Sequence, residues 1–295
     1  MMFRTFRLTN TKKEAFIGYA FLLPSLAGCA VFVLLPFADA VKRSFFSGVS
    51  GDFQGFRYYG EIFANPSFQT ALANTGRFIL YCVPLLIVLS LALAFFLTGK
   101  VLGRGALRAA FLLPMAIPVA SVALLWQLLF HQSGLINRLM IMAGQLPIDW
   151  MRTDRALTCL IISYIWKNIG YNMVLFIAGL GGISPSLYEA ASVDGAGGMQ
   201  QFFSITLPCL RPTLFTVTVL SLLNSFKAYR EAYLVAGNYP HSSIYLVQHT
   251  LNNWFSAMEI EKLSAAAVVT SLMILALVAL LNRAWSADGK QEVSP

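Results

Sequence analysis

Six stretches of this chain are each long and apolar enough to cross a bilayer as a helix, which takes about 20 residues. They run 15–37, 78–97, 109–130, 156–180, 214–235 and 263–281. Inside hydrocarbon, backbone donors and acceptors must be satisfied within the segment, so unbroken apolar runs of this length fold as helices. The predicted fold class is therefore all-α integral membrane, with six transmembrane helices.

The rest of the composition agrees. Only 12% of the 295 residues are charged, against roughly a quarter in a soluble domain. The net charge of +8 does not point to nucleic acid, because the basic residues are scattered or flank apolar spans. Lys and Arg are denser in the N-terminal arm, the 100–108 link, the 182–212 loop and the tail than in the other loops. That bias places both termini and the 182–212 loop in the cytoplasm. The expected layout is a cytoplasmic arm (1–14), a six-span domain (15–283) and a cytoplasmic tail (284–295). The first apolar run is too long for a signal-peptide core and lacks a small-residue cleavage site, so it reads as a retained span.

Several chemistries find no support. Cys29, Cys82, Cys159 and Cys209 stand far apart and are expected to behave as small buried apolar residues. His131, His241 and His249 lack ligand spacing, so neither a metal nor a haem is expected. There is no GxSxG, HExxH or paired-carboxylate constellation, hence no catalytic residue is assigned. The phosphate-cradling GxxxxGK[ST] pattern is also absent, since Val101 follows Lys100 and Gln291 follows Lys290.

The loop between the fourth and fifth spans carries the sharpest signal. From Glu189 it reads EAASVDGAGGMQQFFSITLP. Ser186-x-x-Glu189 has the capping-box pattern, so a short helix is expected to start at Ser186. Ala190 and Ala191 favour helix with little bulk, and Gly195 suits the left-handed position that ends it. A second amphipathic helix should follow through Phe202, Phe203 and Ile205 to Leu207-Pro208. Capping and turn chemistry alone would equally suit an ordinary helix–turn–helix between two spans.

Polar residues inside spans are functional candidates by default, because charge in hydrocarbon is costly. In the fourth span Tyr164, Lys167, Asn168 and Tyr171 recur at i, i+3, i+4 and i+7, one face of a helix. Rings, an amide and an ammonium group on one face suit a polyhydroxylated ligand. The fifth span adds Ser221, Asn224 and Ser225 on one face, then Lys227, Arg230 and Glu231. Lys227 and Glu231 stand four apart, so they read either as an ion pair or, with Arg230, as a gate.

The loop signature is Glu-Ala-Ala, three residues, Gly195, nine residues, Ile205, one residue, Leu207-Pro208. It resembles the EAA loop of permease subunits of binding-protein-dependent ABC importers. The stretches LLPSLAG, YIWKNIGYNMVLFIAGLGGISPSLYEAASVDGA and NSFKAYREAYLVAGNYP resemble the MalF/UgpA-like branch of carbohydrate permeases. The resemblance implies a MetI-like permease fold, whose loop forms a coupling helix-turn-helix seated in a cleft of the ATPase. By it, Glu189, Ala190, Ala191, Asp194 and Gly195 dock the ATPase, while Ile205, Leu207 and Pro208 brace the loop. Tyr164, Lys167, Asn168, Tyr171, Ser221, Asn224 and Ser225 map onto the family's mid-membrane solute site. Lys167 and Asn168 depart from the best-known maltose site, leaving open a sugar, glycerol phosphate or another polar solute. Implied partners are a second permease subunit, a dimer of ATPase subunits holding ATP and Mg, an extracytoplasmic solute-binding protein, and membrane lipid. The implied location is the bacterial cytoplasmic (inner) membrane, and the chain is a transport subunit, not an enzyme. Other classes are a stand-alone secondary carrier, which would be expected to show an internal repeat that is absent here, and a membrane enzyme.

Overall fold

The computed structural model describes residues 7–99 and 102–289. Arg4 and the start of the 1–14 arm, Lys100, and positions 290–295 of the tail lie outside the described residues. Helices dominate, and among the described residues the sole β feature is one antiparallel bridge, Phe46 to Phe53. The chain divides into two compact units: residues up to Ala64 with Trp254–Ser271, and Asn65–Asn253 with the residues from Leu272 onward.

In the first unit, α1 (Arg7–Cys29) passes through a π turn, Ala30–Leu34, into α2 (Leu35–Arg43). The Leu35 N–H reaches back to the Ala30 carbonyl just ahead of Pro36, which has no N–H to offer. Ile17–Arg43 is 27 residues long and none of its apolar window is buried. Phe21, Phe32 and Leu35 point outward, as on a helix whose solvent is lipid or another chain. A turn and α3 (Arg57–Ala64) follow, with Ser44 Oγ 2.7 Å from the Tyr59 hydroxyl. Glu261 Oε1 accepts the Gly48 N–H at 2.8 Å within the same unit.

The second unit holds the candidate sites. Its central helix α4 (Pro66–Thr98) starts on Asn65, whose Oδ1 accepts the Phe68 N–H at 3.1 Å, with Pro66 preset for the first turn. Next come α5 (Arg104–Ala116), α6 (Val119–Phe130) and α7 (Leu135–Met142). The span expected over 109–130 is thus broken at Ile117–Pro118. Pro118 forces Ile117 into extended backbone (φ −75, ψ 131) and ends α5. Length and hydropathy instead single out Val119–Met142 as a crossing stretch.

The chain goes on through α8 (Ala156–Gly181), α9 (Pro185–Val193), α10 (Gly198–Gln201), α11 (Leu207–Cys209), α12 (Arg211–Ser225), α13 (Tyr229–Ala236), α14 (Val247–Ser256) and α15 (Ile260–Gly289). The fifth span is the irregular one. Gly198–Cys209 and Arg211–Ala236 meet at a 67° bend, and a 3-10 turn, Phe226–Ala228, separates α12 from α13. Five described helical stretches are long and apolar enough to cross a membrane, six if the bent pair is one span. α15 runs on through Gly289, into the segment read as a tail.

α4 and α8 pack along their length. Phe78 meets Tyr164 edge-on at 5.4 Å, and both join Cys82, Leu86, Leu160, Ala228 and Ala232 in one apolar cluster. Towards the 182–212 loop, Ala94, Leu97, Met173, Phe176 and Val217 form a second. Gly170 permits the close approach of α5: a Cβ there would collide with the Phe111 carbonyl. Cys82 and Cys159 are buried as expected, but Cys29 and Cys209 are exposed. Cys29 sits on the outward-facing first helix, and Cys209 on the surface of the loop.

Candidate functional site

The 182–212 loop is a pair of short helices closed by side-chain bonds. α9 begins one residue earlier than expected, with Pro185 at its first turn and Ser184 as the flanking residue. Ser186 lies inside the helix, so the Ser186–Glu189 capping box does not form; the Ser186 hydroxyl meets Ser184 Oγ at 2.8 Å. The rigid φ of Pro185 sets the start instead. At the other end Gly195 takes φ +79, the left-handed conformation expected of it. The Ala196 N–H closes back on the Ala191 carbonyl at 2.8 Å, as in a Schellman turn.

The returning segment, α10 through α11, contains a π turn over Phe202–Thr206. Three contacts fix it to α9 and α4. The Tyr188 and Thr206 hydroxyls are 2.9 Å apart. Gln201 Nε2 donates to Ser192 Oγ and to the Ala196 carbonyl, both at 3.0 Å. Phe202 lies edge-on to Phe95 at 5.7 Å. Tyr188, Gln201 and Thr206 did not stand out in the sequence, and Phe202 was read only as part of an amphipathic helix, since each acts through a partner whose position only folding sets.

The side of the loop turned away from these contacts is open. Glu189, Ala190, Asp194 and Gly195 are exposed, and Val193 is 88% and Met199 73% exposed. Ala191, Ile205, Leu207 and Pro208 are half-buried, and Leu210 behind them is fully buried. The surface is thus a small exposed ridge with two carboxylates, a low-bulk alanine and two exposed apolar side chains. Such a ridge suits a complementary cleft on another protein.

The intramembrane polar residues are arranged differently from the one-helix faces read in the sequence. Lys167 Nζ donates to Glu231 Oε1 at 2.8 Å, a pair between α8 and α13 with side chains only 13% and 8% exposed. This corrects the Lys227–Glu231 reading: Lys227 is exposed and donates to Asn224 Oδ1 at 2.7 Å. Lys227 sits within the 3-10 turn Phe226–Ala228, which changes the helical register on which the i, i+4 expectation depends. Arg230 is exposed.

Tyr164, Ser221 and Ser225 are buried. Asn172 Nδ2 donates to Ser221 Oγ at 2.8 Å and ties α8 to α12, a contact the face analysis missed because the two residues lie on different helices, 49 positions apart. Ser225 Oγ returns to the Leu222 carbonyl, and Asn168 Nδ2 to the Tyr164 carbonyl, at 2.6 and 2.8 Å. Of the seven expected pathway residues, Lys167, Asn168, Tyr171 and Asn224 keep partial exposure. Among the described residues no group of three His, Cys, Asp or Glu could hold a metal ion.

A family model described as "Binding-protein-dependent transport system inner membrane component" matches residues 78–286. The trehalose/maltose transport system permease protein MalF of Thermococcus litoralis is 30% identical over 269 residues, covering 89% of this chain and 91% of that protein. The lactose transport system permease protein LacF of Rhizobium radiobacter is likewise 30% identical, over 90% of this chain and 91% of its own length. The sn-glycerol-3-phosphate permease UgpA of Yersinia pestis is 26% identical over 91% of the chain and 94% of its own. In fold, the chain is similar to a chain of a bacterial ABC transporter for import of the polysaccharide alginate, with a TM-score of 0.83, 23% identity and 95% and 99% coverage.

Proposed function

The chain belongs to the binding-protein-dependent transport system inner membrane components, and on that premise we propose that it is the pore-forming permease subunit of an ATP-driven carbohydrate importer. It is a multi-pass membrane transport subunit, not an enzyme, and its family works with a solute-binding protein. The observation that carries the coupling role is the open ridge of α9, where Glu189, Ala190, Asp194 and Gly195 face outward from a loop stapled by Tyr188–Thr206. Ala191, half-buried on the same helix, belongs to that ridge, and Ile205, Leu207 and Pro208 brace it against the bundle.

The ridge takes the ATPase subunits, which act as a dimer and bind ATP and Mg. A second permease subunit completes the pore, with lipid around both. The 182–212 loop and both termini then lie in the cytoplasm, consistent with the Lys/Arg bias, and the six-span domain runs 15–283. Cargo of the carbohydrate class is supported by relatives named for trehalose/maltose, arabinooligosaccharides and lactose. Asn168, Tyr171 and Asn224 serve the pathway directly, with Tyr164, Ser221 and Ser225 as its buried wall. Arg230 lies beside it, and Lys227 holds Asn224.

The test is uptake in a strain lacking the gene, using a panel of disaccharides, oligosaccharides and sn-glycerol 3-phosphate, together with affinity purification from membranes. The reading expects ATP-dependent uptake of a saccharide, and recovery of an ATPase and a second permease that Glu189→Lys abolishes. Uptake that survives ATP depletion at constant membrane potential would overturn it in favour of a secondary carrier, and preference for glycerol phosphate would change the cargo.

A further inference from the structure

The two halves of the fifth span are tied to their surroundings separately. Below the 3-10 turn, Ser221 of α12 is held to α8 by Asn172 at 2.8 Å. Above it, α13 is gripped at two points. Glu231 in its first turn pairs with Lys167 of α8 at 2.8 Å. Near its C-terminal end the Leu234 and Val235 carbonyls accept from Gln127 Nε2 of α6 at 3.3 and 3.1 Å. The neutral contacts follow the usual pattern of polar glue between membrane helices. The charged one does not.

A buried ion pair is a poor way to hold two helices together, because taking both charges out of water offsets most of their attraction, and an apolar pair of similar size holds as well or better. Here the pairing is also incomplete. Glu231 Oε2 is buried with no hydrogen-bond partner among the described residues, and so is the Tyr164 hydroxyl, one turn from Lys167 on the same face of α8. Tyr164 packs in the cluster that includes Ala228 and Ala232, on either side of Glu231 in sequence. An unused acceptor and an unused donor in one neighbourhood allow a second arrangement, in which Tyr164 bonds the carboxylate as α13 shifts along α8.

We propose that Lys167 and Glu231 are positioning residues for transport: a latch that holds α13 to α8 in the conformation seen here and exchanges partners, with Tyr164 as the alternative donor, as the transporter cycles. The proposal rests on the importer reading. It differs from simple glue in what apolar substitution does. A latch replaced by Met and Leu leaves the helices joined but removes the reversible contact between conformations.

The test uses the assembled transporter in lipid nanodiscs, with Lys167→Met/Glu231→Leu, the charge swap Lys167→Glu/Glu231→Lys, and Tyr164→Phe. Thermal stability, ATP hydrolysis and ATP-driven uptake are measured on each. The Met/Leu pair is expected to keep or raise the melting temperature while uptake per ATP hydrolysed falls several-fold. The swap should recover part of that loss, and Tyr164→Phe should lower uptake per ATP with an unchanged melting temperature. Wild-type uptake per ATP in the Met/Leu variant would overturn the latch, as would a Tyr164→Phe variant indistinguishable from wild type. A wild-type complex with no ATP hydrolysis would instead sink the importer reading.

Discussion

The Tyr188 hydroxyl on α9 and the Thr206 hydroxyl on the returning segment stand 2.9 Å apart, with Thr206 buried. This contact joins the ridge proposed to dock the ATPase to the segment that enters the fifth span. Losing one such bond costs about 0.5–1.5 kcal/mol. Tyr188→Phe and Thr206→Val should therefore leave the bundle folded while amide exchange across 185–209 speeds up several-fold. Hydrogen exchange with mass spectrometry reads this directly, and unchanged protection would show that Gln201 and Phe202 hold the loop unaided.

Gly195 adopts φ +79 with nothing near a would-be Cβ. A substitution there is strained by backbone alone, at about 1–2 kcal/mol. Gly195→Ala should weaken ATPase recovery modestly, whereas Gly195→Trp adds bulk to the docking ridge and should abolish it. Equal recovery for both would mean that the ATPase does not contact this turn. Quantitative co-purification distinguishes the cases.

Of the four cysteines, Cys82 and Cys159 are buried and Cys29 lies on the apolar first helix, leaving Cys209 exposed on the loop. A membrane-impermeant maleimide should label Cys209 in inverted vesicles and not in intact spheroplasts. The opposite pattern would reverse the proposed topology. Cys209→Ser should remove the signal in either preparation.

His249 on α14 lies outside the membrane-crossing stretches, between Tyr229 at 4.7 Å and Tyr245 at 5.4 Å. Burial pushes its imidazole down to about 4, and Nδ1 accepts the Leu246 N–H at 3.0 Å. Between pH 4 and the ordinary value near 6.5, the unfolded chain binds the proton and the folded one does not. Stability therefore rises with pH across that window and is flat above it, and falls as the pH drops below about 6.5. The size is of the order of a few kcal/mol. His249→Asn keeps an acceptor for Leu246, and should flatten the slope in a melting series from pH 4.5 to 7.5; an unchanged slope would assign it elsewhere.

Much of the architecture was legible because membrane insertion reads local properties. Length and hydropathy located α4, α8 and α15, and Gly195 marked the end of α9. Pro118 broke the third stretch and shifted the crossing segment to Val119–Met142. The capping box at Ser186 was misplaced by one residue, because Pro185 could occupy the first turn and the box motif does not weigh that alternative.

What the sequence by itself determined is whatever depends on neighbours along the chain: apolar runs, helix ends, the spacing that carries the family signature. Which polar groups meet was decided by the tertiary structure. Lys167 and Glu231 are 64 positions apart, as distant in sequence as Lys227 and Glu231 are near. A helical period predicts partners only while the helix is unbroken. The 3-10 turn at Phe226–Ala228 and the packing of α8 against α13 supply the geometry that pairs Glu231 across helices.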